Sequence, residues 1–306
     1  MTSIGTSTSA FYARSTQSLG SLRAQAEAVQ QQIGRGERLT RSSDDPVAAS
    51  RLRQLARSER FSAIDTANAN RAIADLTLTD QTLSQFADTV IRVQELTTQA
   101  ATGTLTDAQR AGIGEEISLL HGNLVALANA RDSAGHALFG GETTGDAYTV
   151  DAAGDATYAG TASAGDLALG DGQSVRRGLT GPEFLNFNAN GVPTNLMAVV
   201  KALGRALQGG VANPAAAARD ALATLGDGLD KLTVGQTLVG ARLAWVDLTT
   251  ERRVDLSELR LGEQAEIGST DIAVSITRLQ QLTLVLDASQ ASFGRLAQLS
   301  LFNQLP

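Results

Sequence analysis

Apolar residues recur at alternating spacings of three and four at both ends of the chain. Near the C-terminus, Ile272, Leu279, Leu286 and Phe293 fall every seven residues, with Ile276, Leu282 and Leu296 three or four positions from them. Near the N-terminus, Leu19, Leu22, Ala26, Val29 and Ile33 repeat the pattern. A sustained stripe of this kind predicts helices that pack along other helices. Neither stripe has a covering element nearby in sequence, so the two ends are expected to pair.

Between them the same periodicity predicts more long helices. The N-terminal helix itself runs from about Ala10 to Gln32 and stops at Gly34-Arg-Gly36. Asp45 before Pro46 marks the next start, since Pro suits the first helical position and an Asp side chain can accept orphan backbone N–H groups. Asp44, Asp45 and Pro46 are therefore assigned a capping role. From Pro46 to about Ala100, Ile73, Leu76, Leu83, Phe86, Val90 and Val93 share one face. Thr102 to Asp107 reads as a turn. A helix from about Asp107 to Leu138 follows, with Ile113, Ile117, Leu120, Leu124 and Leu127 on one side, which makes an antiparallel hairpin. Helices resume at about Asn195–Leu207, from Pro214 onward, and from Val239 to about Leu261. Ser269, Thr270 or Asp271 can cap the terminal helix.

The texture changes from Gly140 to Gly191, where glycine is dense. Short pieces at 147–150, 157–159, 166–169 and 173–176 read as strands, with Gly170-Asp-Gly172 as a hairpin turn. The expected fold class is mainly α: long antiparallel helices, paired terminal coiled-coil helices, and a small inserted β-rich domain with a core of its own. The expected boundaries are residues 1–40 and 267–306 for the terminal layer, 41–141 and 194–266 for a helical rod, and 142–193 for the insertion.

Composition narrows the function classes. The chain has 306 residues and no cysteine, so no disulfide or thiolate site is possible. A net charge of −7 argues against a general nucleic-acid binder. No run of eighteen apolar residues occurs, so no membrane span is expected. The opening Met1 to Ala10 has neither a basic start nor an apolar run, and no cleaved signal peptide is expected.

Candidate chemistry is sparse. His121 and His136, the two histidines, fall in one predicted helix, about 22 Å apart along it, too far to share a metal. No phosphate-binding loop or dinucleotide fingerprint is present. Asp146, Asp151, Asp155, Asp166 and Asp171 fit neither an EF-hand loop nor a nonapeptide repeat, and read as turn residues. No catalytic, cofactor-binding or metal residues are assigned, and no cofactor is implied.

Three segments carry a resemblance. Ile33 to Ala49, with its glycine turn, Arg-rich loop and Ser-Ser-Asp-Asp-Pro-Val-Ala-Ala, resembles a signature of the bacterial flagellin superfamily. Leu138-Phe-Gly-Gly141 resembles the motif closing the N-terminal rod in those proteins, and Gln298 to Leu305 resembles their C-terminal ending. Pro46 and the Phe-Gly-Gly are more similar to the hook-associated members than to filament flagellins. The resemblance implies termini lining an axial tube, a rod outside it, and an outward-facing insertion. It also implies a structural role in the junction ring between hook and filament, export by the flagellar type III system, and a flagellar, extracellular location. The implied partners are other copies of itself, an adjacent hook-associated protein, flagellin and an export chaperone. A minor flagellin and a flagellin-like surface adhesin are the alternatives.

Overall fold

The computed structural model describes residues 3–302, with side chains for residues 10–295. The chain divides into two compact units, one of residues 1–60 and 255–306, the other of residues Phe61–Val254. The mainly α fold class is borne out.

The elements are α1 (Ser3–Arg35), α2 (Pro46–Ala100), α3 (Asp107–Ala128), β1 (Tyr148–Val150), β2 (Ala156–Tyr158), β3 (Asp166–Gly170), β4 (Gln173–Arg176), α4 (Gly181–Leu185), β5 (Asn186–Ala189), β6 (Val192–Asn195), α5 (Leu196–Arg205), α6 (Pro214–Gly268) and α7 (Ile272–Phe302), with one π-helical turn, Ala206–Gly210, after α5. The chain passes between the units within α2 and within α6.

In the larger unit the apolar face of α2 is the centre of the core. Ala69, Ala72, Leu76, Leu83, Phe86, Val90 and Val93 are fully buried there. They pack in one cluster with Ile117 and Leu124 of α3 and Leu225, Leu232, Val239 and Val246 of α6. The α2–α3 turn is closed by a side chain that periodicity does not reveal. Buried Arg110 donates from Nε to the carbonyl of Ala100 at 3.1 Å and from its terminal nitrogen to that of Thr102 at 2.8 Å. It thus satisfies carbonyls left open where α2 ends. Thr106 and Gln109 form a reciprocal capping box at the start of α3.

Helix α3 ends at Ala128, ten residues before its expected end at Leu138. Beyond it the chain turns on Asp132, whose Oδ1 accepts the N–H groups of Ala134 and His136 at 2.9 and 2.8 Å. A carboxylate bonding its own backbone in this way competes with the helical ladder. His136 is therefore in a loop and not in a helix with His121.

Three antiparallel hairpins follow, β1–β2, β3–β4 and β5–β6, each a separate two-stranded sheet. The third was not anticipated, although Asn190-Gly191 is its turn signal; both residues take positive φ, at 51° and 79°. The hairpins do not enclose a core of their own, which corrects the sequence expectation. Tyr148, Leu169, Val175, Leu179, Phe184 and Leu185 join the same cluster as the helices. The Phe86, Phe139 and Phe184 rings meet with centroids 6.1, 5.3 and 4.7 Å apart. Two-stranded sheets are too small to be stable alone, so they must borrow an apolar surface.

The Phe-Gly-Gly motif has a steric reason. Gly141 has φ 71°, and a Cβ there would lie 2.6 Å from the Ser163 carbonyl oxygen. A Cβ at Gly140 would lie 2.8 Å from that of Ala137. The loop around Thr161 closes directly over this backbone, with the Thr161 N–H bonded to the Gly140 carbonyl at 3.0 Å.

Helix α6 is continuous, where the sequence reading placed separate segments. Two of its glycines lie where other side chains press closest. A Cβ at Gly228 would meet Leu196 Cδ1 at 2.5 Å, and one at Gly235 would meet Phe184 Cβ at 3.2 Å.

His121 on α3 is half-buried beside the Lys201–Asp155 ion pair and Arg205. Burial first, and then Lys201, pushes its pKa below the ordinary histidine value. A depressed histidine stabilises the fold while neutral, fully above about pH 6.5. That contribution is lost as pH falls through the unfolded value, where the unfolded chain takes the proton first. His121→Gln is expected to flatten the pH dependence of stability below pH 6.5, measured by urea unfolding at pH 7.5 and 5. An unchanged slope would contradict this.

Candidate assembly surface

In the smaller unit α1 and α7 lie side by side and antiparallel. The Tyr12 and Phe293 rings meet edge to face at 5.4 Å near one end. At the other, the Arg38 N–H reaches the Gly268 carbonyl at 2.8 Å and the Thr270 N–H reaches that of Gly36 at 3.0 Å. On α1 the residues withdrawn from solvent, among those described, are Tyr12, Ser15, Leu19, Leu22, Ala26, Val29, Gln32 and Ile33. On α7 they are Ser275, Leu279, Leu282, Leu286, Ser289, Phe293 and Gly294. Apart from Gln32 beside Ile33 and Gly294 beside Phe293, both sets step by three and four, as a coiled-coil seam requires.

Of the residues assigned to the seam, Leu19, Leu22, Val29, Ile33, Leu279, Leu282, Leu286 and Phe293 lie on these faces. Ile272 does not share their protection: at the first turn of α7 it is 54% exposed. Leu296 lies in α7, but its side chain is outside the described residues. Tyr12, Ser15, Ser275 and Ser289 were missed. One further step of three, four or seven from Leu19, Leu279 or Leu286 finds them, although three are small and polar.

Pairing leaves α7 with uncovered apolar residues. Val274, Leu284 and Val285 are 63%, 71% and 46% exposed. Leu22, Val274, Leu282 and Val285 contribute to a groove of about 670 Å³ beside the seam. An apolar strip on an otherwise closed helix pair marks a surface that another molecule covers.

The loop between α1 and α2 is held by its own carboxylates. Asp45 Oδ1 accepts the Ala48 N–H at 3.0 Å, capping α2, and Oδ2 meets Arg38 at 3.3 Å. Asp44 Oδ2 accepts the Arg41 N–H at 2.8 Å and the Thr40 hydroxyl at 3.0 Å. Pro46 opens the helix. Both carboxyls are held below the usual range, Asp44 chiefly by the Arg41 N–H and Asp45 chiefly by the Ala48 N–H. A lowered carboxyl contributes stability above its unfolded pKa, about 3.9, and loses it as pH falls through the folded value. Asp45→Ala is expected to lower the thermal midpoint by a few degrees at pH 7 and by much less at pH 2. Equal losses at both pH values would place the cap elsewhere.

A further polar cluster lies in the larger unit. His136 Nδ1 is 3.3 Å from Asp132, and Arg177 lies 3.7 Å from Asp132 and 3.1 Å from Asp75. They line a cavity of about 300 Å³. Each charge already has a partner of opposite sign, so the arrangement reads as an ion-pair network tying β4 and the α3 exit to α2. His121 lies apart from it. Among the described residues, no group of three or more His, Asp or Glu is placed to hold a metal ion, and no helix is long and apolar enough to cross a membrane.

Residues 6–144 match the bacterial flagellin N-terminal helical region. The chain is 26% identical over 288 residues to flagellar hook-associated protein 3 of Escherichia coli K12, covering 89% of this chain and 90% of that protein. It is 29% identical over 164 residues to the same-named protein of Salmonella typhimurium LT2, covering 53% and 51%. Its fold is similar to the flagellar junction protein FlgL of Legionella pneumophila, with a TM-score of 0.59 and 14% identity over 72% of this chain and 100% of that one. The resemblance to the flagellin superfamily, and within it to hook-associated protein 3, is borne out.

Proposed function

We propose that this flagellin-like chain is a structural protein of the bacterial flagellum, forming the junction between hook and filament on which flagellin assembles. The observation that carries the reading is the antiparallel α1–α7 pair, whose seam is closed but whose α7 still exposes Val274, Leu284 and Val285. Copies standing side by side would cover that strip. Each such side chain buried is worth roughly 1.5–3 kcal/mol, and the gain repeats at every subunit.

On this reading residues 1–40 and 267–306 form the inner layer, residues 41–141 and 194–266 the rod, and the hairpins of 142–193 lie on its outer side. The partners are other copies, a neighbouring hook-associated protein on one side and flagellin on the other, with an export chaperone before assembly. The seam residues act by packing and not by chemistry, in keeping with the structural relatives.

The test is a strain lacking the gene. It is expected to export flagellin into the medium, keep its hooks and build no filaments, with filaments restored by the intact chain. Normal filaments without this protein would overturn the proposal.

A further inference from the structure

Helix α6 carries a second apolar stripe. Leu225, Leu232, Val239 and Val246 face the core of the larger unit. On another face, Val234, Leu238, Trp245 and Leu248 are 42–60% exposed. With Ala241 between them they step by four, three, four and three, so the element that fits the stripe is a helix lying along it.

The stripe has charged ends of opposite sign. Asp230 lies four residues before Val234, and Arg252 four residues after Leu248. Both are exposed, and among the described residues neither has an ion pair or a side-chain hydrogen bond. The pattern is close to symmetric about Ala241. Asp230 and Arg252 are each eleven positions from it, and Val234 and Leu248 each seven.

Turned end over end, this face therefore matches itself. Asp230 of one copy meets Arg252 of the other, Val234 meets Leu248, and Trp245 falls beside Leu238. Gly240, Ala241 and Ala244 are small enough to let the two helices approach at the centre. Two parallel copies would instead set Asp230 on Asp230 and Arg252 on Arg252. We propose that two copies of the chain associate through this face of α6, antiparallel and about a two-fold axis at Ala241. Such a contact is isologous and saturates at two copies. A ring of cyclic symmetry uses head-to-tail contacts, so this pair is a state of free copies. It rests on the α6 surface alone and stands independently of the flagellar role.

The chain has no cysteine and one tryptophan, which makes the test direct. In the full chain, Ala241→Cys is expected to form a disulfide dimer on mild oxidation, because the same residue meets itself at the axis. Val234→Cys alone should not link, but should link to Leu248→Cys when the two are mixed. In sedimentation the unaltered chain should show a concentration-dependent dimer, with Trp245 emission moving to shorter wavelength as it forms. Asp230→Arg should weaken the dimer roughly tenfold, since two pairs are lost at once, and Asp230→Arg with Arg252→Asp should restore it. A chain that stays monomeric, a dimer indifferent to Asp230→Arg, or Val234→Cys linking to itself would each overturn the proposal.

Discussion

Phe184→Ala is expected to cost about 3–5 kcal/mol, a large part of the roughly 5–15 kcal/mol that holds a domain together. Phe184 is fully buried, with Phe139 and Phe86 beside it and its Cβ against α6 at Gly235. Truncation would open a cavity where hairpin segment, α2 and α6 meet. For a unit of this size the thermal midpoint should fall by roughly 10 °C or more, measured by circular dichroism. For the same reason, replacing residues 142–193 with a linker should cost most of the helical signal of the larger unit. It would remove Tyr148, Leu169, Val175, Leu179 and Phe184 from the one cluster that they share with the helices. A midpoint within a degree or two of the parent after Phe184→Ala would mean that the hairpins have a core of their own after all.

That expectation reverses the one drawn from glycine density, and the reason is physical. Short strands and turn residues announce hairpins, but they do not say what the hairpins pack on. The long helices were legible because their apolar residues repeat: the face of α2 from Leu76 to Val93 and the face of α7 from Leu279 to Phe293 can be traced residue by residue. What could not be traced were contacts between distant positions. Arg110 on the Ala100 carbonyl, Gly228 under Leu196 and Gly235 under Phe184 have no local signature. The end of α3 was misplaced because Asp132 bonds to its own backbone, a competition that periodicity does not register. In the seam, eight assigned residues lie where the heptad puts them, whereas Ile272 sits at the first turn of α7 and stays open to solvent.

The second large effect separates the seam from the strip beside it. Leu282→Arg places a charge between α1 and α7. Leu282 is half-buried, so the change should cost up to about 1.5–3 kcal/mol, the value of a leucine side chain's burial, and lower the melting point of the isolated protein. Leu284→Arg changes a residue that is 71% exposed, and should leave stability within about 0.5 kcal/mol of the parent. In cells both variants should fail to support filaments, the first through a damaged helix pair and the second through a neighbour that no longer fits. Leu284→Arg cells with full-length filaments would show that α7 is not covered by a neighbour in the assembled state.

The central claim is a place on the flagellum, and immunogold electron microscopy of isolated flagella tests it most directly. Antibodies against the folded chain are expected to mark a single narrow band where hook gives way to filament. Gold distributed along the filament would make the chain a filament subunit, and gold absent from flagella altogether would contradict the account.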